Sequence, residues 1–248
     1  MRILFTNDDG YNSVGLHAVA DLFKNDNEIA VVAPDTQKSA TSHSITLCPN
    51  TLKIRSVEGY DYKVYAVSGS PVDCVKTALS LVFPKPDLVI SGINNGANIG
   101  SDVWYSGTVS AASDAAHLGF RAIALSLDNW YATKAEFAAC ADIVKRNIDI
   151  LMAIPLPPKT LININFPNCK PVGVKVVKMN TQVTFFDEHA YLDDNTVNPV
   201  GRRDYSVVLR DDNDEYWCKR GYITITPLLL DRTDYTVLKA MSEDGFLI

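Results

Sequence analysis

Three polar clusters in this chain combine residue types that could do chemistry together. The first is Asn7-Asp8-Asp9-Gly10. Adjacent carboxylates repel, and a divalent cation relieves that repulsion, because Mg²⁺ and Mn²⁺ prefer carboxylate oxygens. The competing reading has Asp9 capping the next helix while Asp8 points into water. The second cluster runs Asp35-Thr36-Gln37-Lys38-Ser39-Ala40-Thr41-Ser42-His43-Ser44. Its hydroxyls could complete a metal shell or donate to phosphate, or they could belong to an ordinary polar loop. The third is Ser91-Gly92-Ile93-Asn94-Asn95-Gly96-Ala97-Asn98-Ile99-Gly100, followed by Tyr105-Ser106-Gly107-Thr108 at the head of an alanine-rich segment. Glycines permit close backbone approach, and the first amides of a helix attract an anion. Ser106 and Thr108 add hydroxyl donors. The glycine spacing is neither G-x-G-x-x-G nor G-x-x-x-x-G-K-[ST], so neither a dinucleotide site nor a P-loop is indicated. A turn with a helix cap is the plainer reading of Ser106-Gly107-Thr108.

The elements that must position these clusters alternate along the chain. Apolar runs at 2–6, 29–33, 64–67, 88–91, 122–127 and 161–165 predict strands. Between them, apolar residues at helical spacing predict helices: Leu16, Val19, Ala20 and Phe23; a helix opening at Pro71; 108–118; and 137–151. Strand runs this continuously apolar belong to a sheet covered on both faces, so an α/β fold with a mostly parallel, Rossmann-like sheet is expected. In such sheets ligands bind at the carboxyl ends of the strands, where all three clusters fall. After Pro167 the texture changes. Residues 172–210 read as extended hairpins with a loop or arm tip at 192–204, then a strand at 222–226 and a terminal helix near 235–241. The expected organisation is a catalytic core over 1–167 and, in the same domain, an extension over 168–248.

Composition narrows the class. The chain has 248 residues, 47% of them hydrophobic, and a net charge of −6, which is enough for a sizeable core and unlike the basic footprint of a nucleic-acid binder. Five widely spaced cysteines without a C-x-x-C pair read as small buried hydrophobes, not as a zinc site or disulfide framework. No apolar run is long enough to span a bilayer. MRILFTNDDG places two carboxylates where an apolar signal core would sit, so a cytoplasmic protein without membrane partners is expected. There is no G-x-S-x-G nucleophile elbow, and the four histidines lack metal-ligand spacing. His17 and His117 fall within helices, and only His43 lies near the clusters as a candidate substrate contact.

Taken together, the clusters resemble the SurE family, the stationary-phase survival 5′-nucleotidases. ILFTNDDGYNSVGL is similar to that family's first motif, VVAPDTQKSATSHSIT to its second and SGINNGANIGSDVWYSGTVSAA to its third; GSPVDCV, ININFP and GYITITPL match further segments. The resemblance covers residues 1–167 and roughly 216–231. It implies a Rossmann-like core with a protruding β-hairpin and a C-terminal dimerisation segment. It also implies hydrolysis of nucleoside 5′- and 3′-monophosphates with one divalent metal, Mn²⁺ or Mg²⁺, per subunit. The implied metal ligands are Asp8, Asp9, Ser39 and Asn94, with Asn95 as second choice and as a possible substrate contact. The implied phosphate contacts are Asn98, Ser106, Gly107 and Thr108. Asp8 and Asp9 are the catalytic candidates, Asp8 being the better placed to orient or deprotonate a water, with direct attack by Asp8 as the chemical alternative. A homodimer is implied as the minimum assembly, with a tetramer open. The rivals are an exopolyphosphatase and a non-catalytic nucleotide or anion binder. Two segments depart from the family pattern: Ser113-Asp114-Ala115-Ala116, where Glu-Gly is usual after the alanines, and residues 172–215.

Overall fold

A computed structural model describes residues 1–182, 185–203 and 207–243. In chain order the strands are β1 (Arg2–Thr6), β2 (Glu28–Pro34), β3 (Ile54–Ser56), β4 (Lys63–Val67), β5 (Leu88–Asn95), β6 (Ala122–Leu127), β7 (Thr160–Phe166), β8 (Gly173–Val176), β9 (Phe185–Asp193), β10 (Thr196–Arg203) and β11 (Tyr222–Leu229). The helices are α1 (Val14–Phe23), α2 (Pro71–Thr77), α3 (Gly107–His117), α4 (Lys134–Arg146), α5 (Ile148–Ala153), α6 (Asp214–Cys218) and α7 (Tyr235–Glu243). A 3₁₀ turn covers Gly100–Trp104.

The main sheet has the order β3-β4-β2-β1-β5-β6-β7-β11-β8. From β4 to β7 all neighbours are parallel, whereas β3 and β11 pair antiparallel with β4 and β7. Successive strand residues alternate between two cores. Ile3, Phe5, Val31, Ile90 and Ile123 pack with Leu16, Phe23, Phe137 and Val144 from α1 and α4. Leu4, Ala30, Val32, Val89 and Ala124 pack with Val75 of α2 and the alanines of α3. Helices therefore cover both faces, as the continuous apolar runs require. The α/β class and mostly parallel sheet expected from the sequence are what the chain adopts.

The order in which strands are added reverses at β1: β2 lies on one side of it and β5 on the other. The switch opens a crevice beyond the carboxyl ends of β1 and β5, the general ligand position in sheets of this type.

Three details differ from the sequence expectation. The helix expected over 137–151 is two helices, because the chain breaks at Asn147 between α4 and α5. β5 runs on to Asn95 instead of ending at Ser91, with a register irregularity against β6 between Ser91 and Asn94. The segment after Pro167 is not only an arm, since β11 and β8 extend the main sheet. β9 and β10 do form a separate antiparallel hairpin. The arm tip expected over 192–204 is largely the strand β10, and residue 204 lies outside the described residues, as do 183, 184, 205, 206 and 244–248 of the expected extension. Cys74, Cys140 and Cys218 are buried as expected, whereas Cys48 and Cys169 are exposed.

Candidate active site

Asp8 and Asp9 leave β1 in a turn organised by Asn7. The Asn7 Nδ2 donates to the Gly10 carbonyl at 3.1 Å and to Ser13 Oγ at 2.8 Å, and the Gly10 amide donates back to Asn7 Oδ1. Ser13 caps α1 by accepting from the Leu16 amide. Asp9 is therefore not the cap, and Asp8, only 5% exposed, does not point into water.

Asp8 instead meets the start of α3. Thr108 Oγ1 donates to Asp8 Oδ1, and the Gly107 and Thr108 amides also favour the ionised carboxylate. Burial outweighs these contacts and raises its pKa. Gly107 is required here, because a β-carbon would stand 2.8 Å from the Asp8 Cβ and 2.9 Å from Oδ2. Asp9 Oδ2 accepts from the Asn95 amide and Oδ1 from Gln37 Nε2, each at 3.3 Å. Burial, and then repulsion from Asp8, push the Asp9 pKa up to about 6. Gln37 Nε2 also donates to Ser39 Oγ at 2.9 Å, which brings the second cluster beside the first.

Asn94 and Asn95 come from the end of β5. Asn94 Nδ2 donates to the Gly96 carbonyl at 2.8 Å, which leaves Oδ1 as the end able to ligate. Asn95 Nδ2 donates to the Trp130 carbonyl at 2.9 Å, and its buried Oδ1 has no hydrogen-bond partner. Asn98 is held deeply: its amide donates to Asn165 Oδ1 and its Nδ2 to Ser126 Oγ, and its carbonyl accepts from Asn163 and Asn165.

A cleft of about 450 Å³ is lined by Asp8, Asp9, Ser39, Asn94, Asn95, Asn98 and Ser106 from the expected set. Gly107 and Thr108 stand behind Asp8. Thr108 is 0% exposed and its hydroxyl is already committed to that carboxylate. His43 is placed elsewhere: with Lys76 it faces Asp114 in a neighbouring cleft of about 570 Å³. That pairing draws its side chain away from Asp8.

Among the described residues, no three His, Cys, Asp or Glu side chains gather at metal-binding spacing. Around the adjacent carboxylates of Asp8 and Asp9 the cleft adds the hydroxyl and amide oxygens of Ser39, Asn94 and Asn95, all hard ligands. Two neighbouring carboxylates with raised pKa values beside an orphaned buried amide oxygen fit a hard divalent cation well.

The model of the survival protein SurE family matches residues 3–187 of the chain. The chain belongs to the SurE family. Among relatives named 5′-nucleotidase SurE, the protein of Desulfitobacterium hafniense is 42% identical over 98% of this chain and 96% of its own length. That of Pelotomaculum thermopropionicum is 39% identical over 98% and 95%, and that of Clostridium beijerinckii 37% over 98% of each. The crystal structure of the SurE protein from Aquifex aeolicus superposes with a TM-score of 0.84 at 31% identity, covering 98% of this chain and 99% of that one.

The SurE motifs do not include everything that lines the cleft. Asp128, Trp130, Glu215 and Lys219 also line it, beside Asp102 and Tyr105 of the third motif. Lys219 Nζ lies 2.8 Å from Asp128 Oδ2. The acidic stretch 211–215 leads into α6, which Asn213 caps and Asp214 and Glu215 open. There Asp214 is fully buried and accepts from the amides of Gly100, Asn180 and Glu215. It braces the turn that leads from the third cluster into α3. Buried carboxylates of this kind give no local signal, because a run of acids ordinarily reads as a solvated loop.

Proposed function

We propose that this chain is a divalent-metal-dependent phosphatase that releases phosphate from nucleoside 5′- and 3′-monophosphates. The observation that carries the reading is the buried Asp8, paired with Asp9 and seated on the N-terminus of α3 at the topological switch of the sheet. The relatives named 5′-nucleotidase SurE, aligned over nearly the whole chain, support it.

In this reading Asp8, Asp9, Ser39 and Asn94 hold one Mn²⁺ or Mg²⁺, with Asn95 Oδ1 at hand as a further oxygen. When bound, such a cation supplies Lewis-acid polarisation of a phosphoryl oxygen and lowers the pKa of a water. The protein does the rest. Thr108 and the Gly107 and Thr108 amides aim Asp8 and favour its ionised form against the cost of burial, so that it can orient the attacking water and take its proton. Ser106 donates its hydroxyl to the phosphoryl oxygens, and Asn98 is fixed beside it. The N-terminal amides of α3 favour the negative charge that Asp8 and the phosphoryl group share there. Lys219 adds a positive charge to a cleft otherwise rich in carboxylates.

Self-association belongs to the same reading. α7 exposes Tyr235, Val237, Leu238 and Met241, an apolar face that fits a C-terminal dimerisation segment. Among the described residues no helix is long and apolar enough to cross a membrane.

The test is phosphate release from a panel of nucleoside monophosphates and tripolyphosphate, with EDTA, Mg²⁺ or Mn²⁺. Release that needs a divalent cation and favours the nucleotides supports the proposal. Nucleotide binding without release would favour a binding protein, and dominant tripolyphosphate cleavage an exopolyphosphatase. Sedimentation equilibrium reads the assembly.

A further inference from the structure

We infer that Trp130 is the platform on which the nucleobase stacks, so that recognition at this cleft depends on an aromatic base at its lip as well as on the phosphate at its floor. The inference rests on the phosphatase reading above and extends it to the far end of the substrate.

Trp130 is 70% exposed, although an aromatic side chain of that size ordinarily buries most of its surface. Its placement is nevertheless tightly defined. A β-carbon at Gly96 would stand 3.0 Å from the ring atom Cζ2 and 3.1 Å from both Cε2 and Cη2. Near-equal distances to three adjacent ring atoms mean that the backbone of residue 96 faces the flat of the indole, since an edge-on approach would bring one atom much closer than its neighbours. Gly96, at φ +108°, is thus a seat for one face of the ring. A side chain at 96 would lift the indole away.

The backbone around Trp130 is held as firmly. Asn95 Nδ2 binds the Trp130 carbonyl, Asn129 Nδ2 binds Glu136 Oε1, the Tyr131 amide binds Asn129 Oδ1, and Asp128 pairs with Lys219. The end of β5 therefore carries Asn94 and Asn95 at the proposed ion-binding end of the cleft, and the next residue, Gly96, lies under the indole. The other tryptophans are engaged by protein groups: Trp217 by Tyr216, Tyr222 and Lys175, and Trp104 by Arg232. No ring or cationic partner covers Trp130 among the described residues, and it lines the same cleft as Asp8 and Ser106. An indole seated on one face with most of its surface open presents a stacking surface. Stacking accepts any base, because every base has a π-face, and it favours purines, whose overlap with the ring is larger.

The experiment compares kcat/KM for AMP, GMP, CMP, UMP and ribose 5-phosphate in wild type, Trp130→Ala and Trp130→Phe with saturating Mn²⁺. Stacking energies for a single base imply that Trp130→Ala loses about fivefold or more on AMP and GMP, chiefly in KM. The loss is smaller on CMP and UMP and absent on ribose 5-phosphate, and Trp130→Phe recovers most of it. An equal loss on ribose 5-phosphate, or no loss on AMP, overturns the inference. Failure of wild type to release phosphate from any of these esters would instead overturn the phosphatase reading. Base stacking is then read separately by fluorescence. AMP should quench wild-type tryptophan emission, and the quenching should disappear in Trp130→Phe, whereas ribose 5-phosphate quenches neither. No AMP quenching in wild type also overturns the inference.

Discussion

Thr108 Oγ1 donates to the Asp8 carboxylate across 100 residues of sequence and fastens the end of β1 to the first turn of α3. Thr108→Val removes the donor and keeps the shape. A hydrogen bond to a charged group contributes roughly 1.5–3 kcal/mol, so kcat/KM and Mn²⁺ affinity should each fall about tenfold to a hundredfold. Thr108→Ser should keep most of both. Titration calorimetry with Mn²⁺ alone, beside phosphate release, checks this, and an unaltered Val variant would remove Thr108 from the site's machinery.

Asp9 lies buried beside Asp8 with its pKa pushed up to about 6. A carboxyl group whose folded pKa is raised destabilises the fold once pH rises through that value. Cation-free Asp9→Asn should therefore be more stable than cation-free wild type at neutral pH, by on the order of 1–3 kcal/mol. The advantage should vanish below the ordinary carboxylate pKa. With Mn²⁺ the order should reverse, because ligand binding raises the melting temperature of wild type and not of the variant. Differential scanning fluorimetry with EDTA or Mn²⁺ reads both signs.

Gly107→Ala would drive a methyl group into the Asp8 side chain, 2.8 Å from its Cβ. Overpacking of this kind costs about 1–3 kcal/mol of stability. Activity should suffer more than stability, since the atom displaced belongs to the proposed catalytic carboxylate. Chemical unfolding and turnover, measured on one preparation, separate the two effects.

His17 stacks on Tyr60, with ring centroids 4.5 Å apart, and bridges the Tyr11 carbonyl at 2.7 Å and the Tyr62 hydroxyl at 2.8 Å. Burial lowers its pKa. The unfolded chain then binds the proton more readily than the folded one. The stability that His17 contributes is complete above about pH 6.5 and is lost as pH falls below it toward the depressed folded value. Urea denaturation at a series of pH values should show wild type losing more stability on acidification than His17→Gln. Parallel curves would dissociate His17 from the acid limb.

Periodicity sufficed for the strand-helix alternation, because a strand buried on both faces must be apolar throughout and a helix must show its apolar stripe. It failed at Asn147, where the stripe continues across two helices and only the backbone break separates them. It is silent at 211–215, where nothing in a run of acids marks Asp214 as buried. His43 sits close to Ser39 in sequence, yet it turns to Asp114 on α3. Sequence proximity could not reveal that, because the pairing partner lies 71 residues away.

The sequence by itself determined the α/β architecture, the family and the three polar clusters at strand ends, all of which follow from local residue pattern. Only the tertiary structure decided that Asp8 is buried against α3 with Thr108 as its donor. The same holds for Asp214 bracing the approach to that helix and for Trp130 lying flat on Gly96. Each of these depends on burial and on contact between distant segments, and neither property is carried by any short stretch of chain.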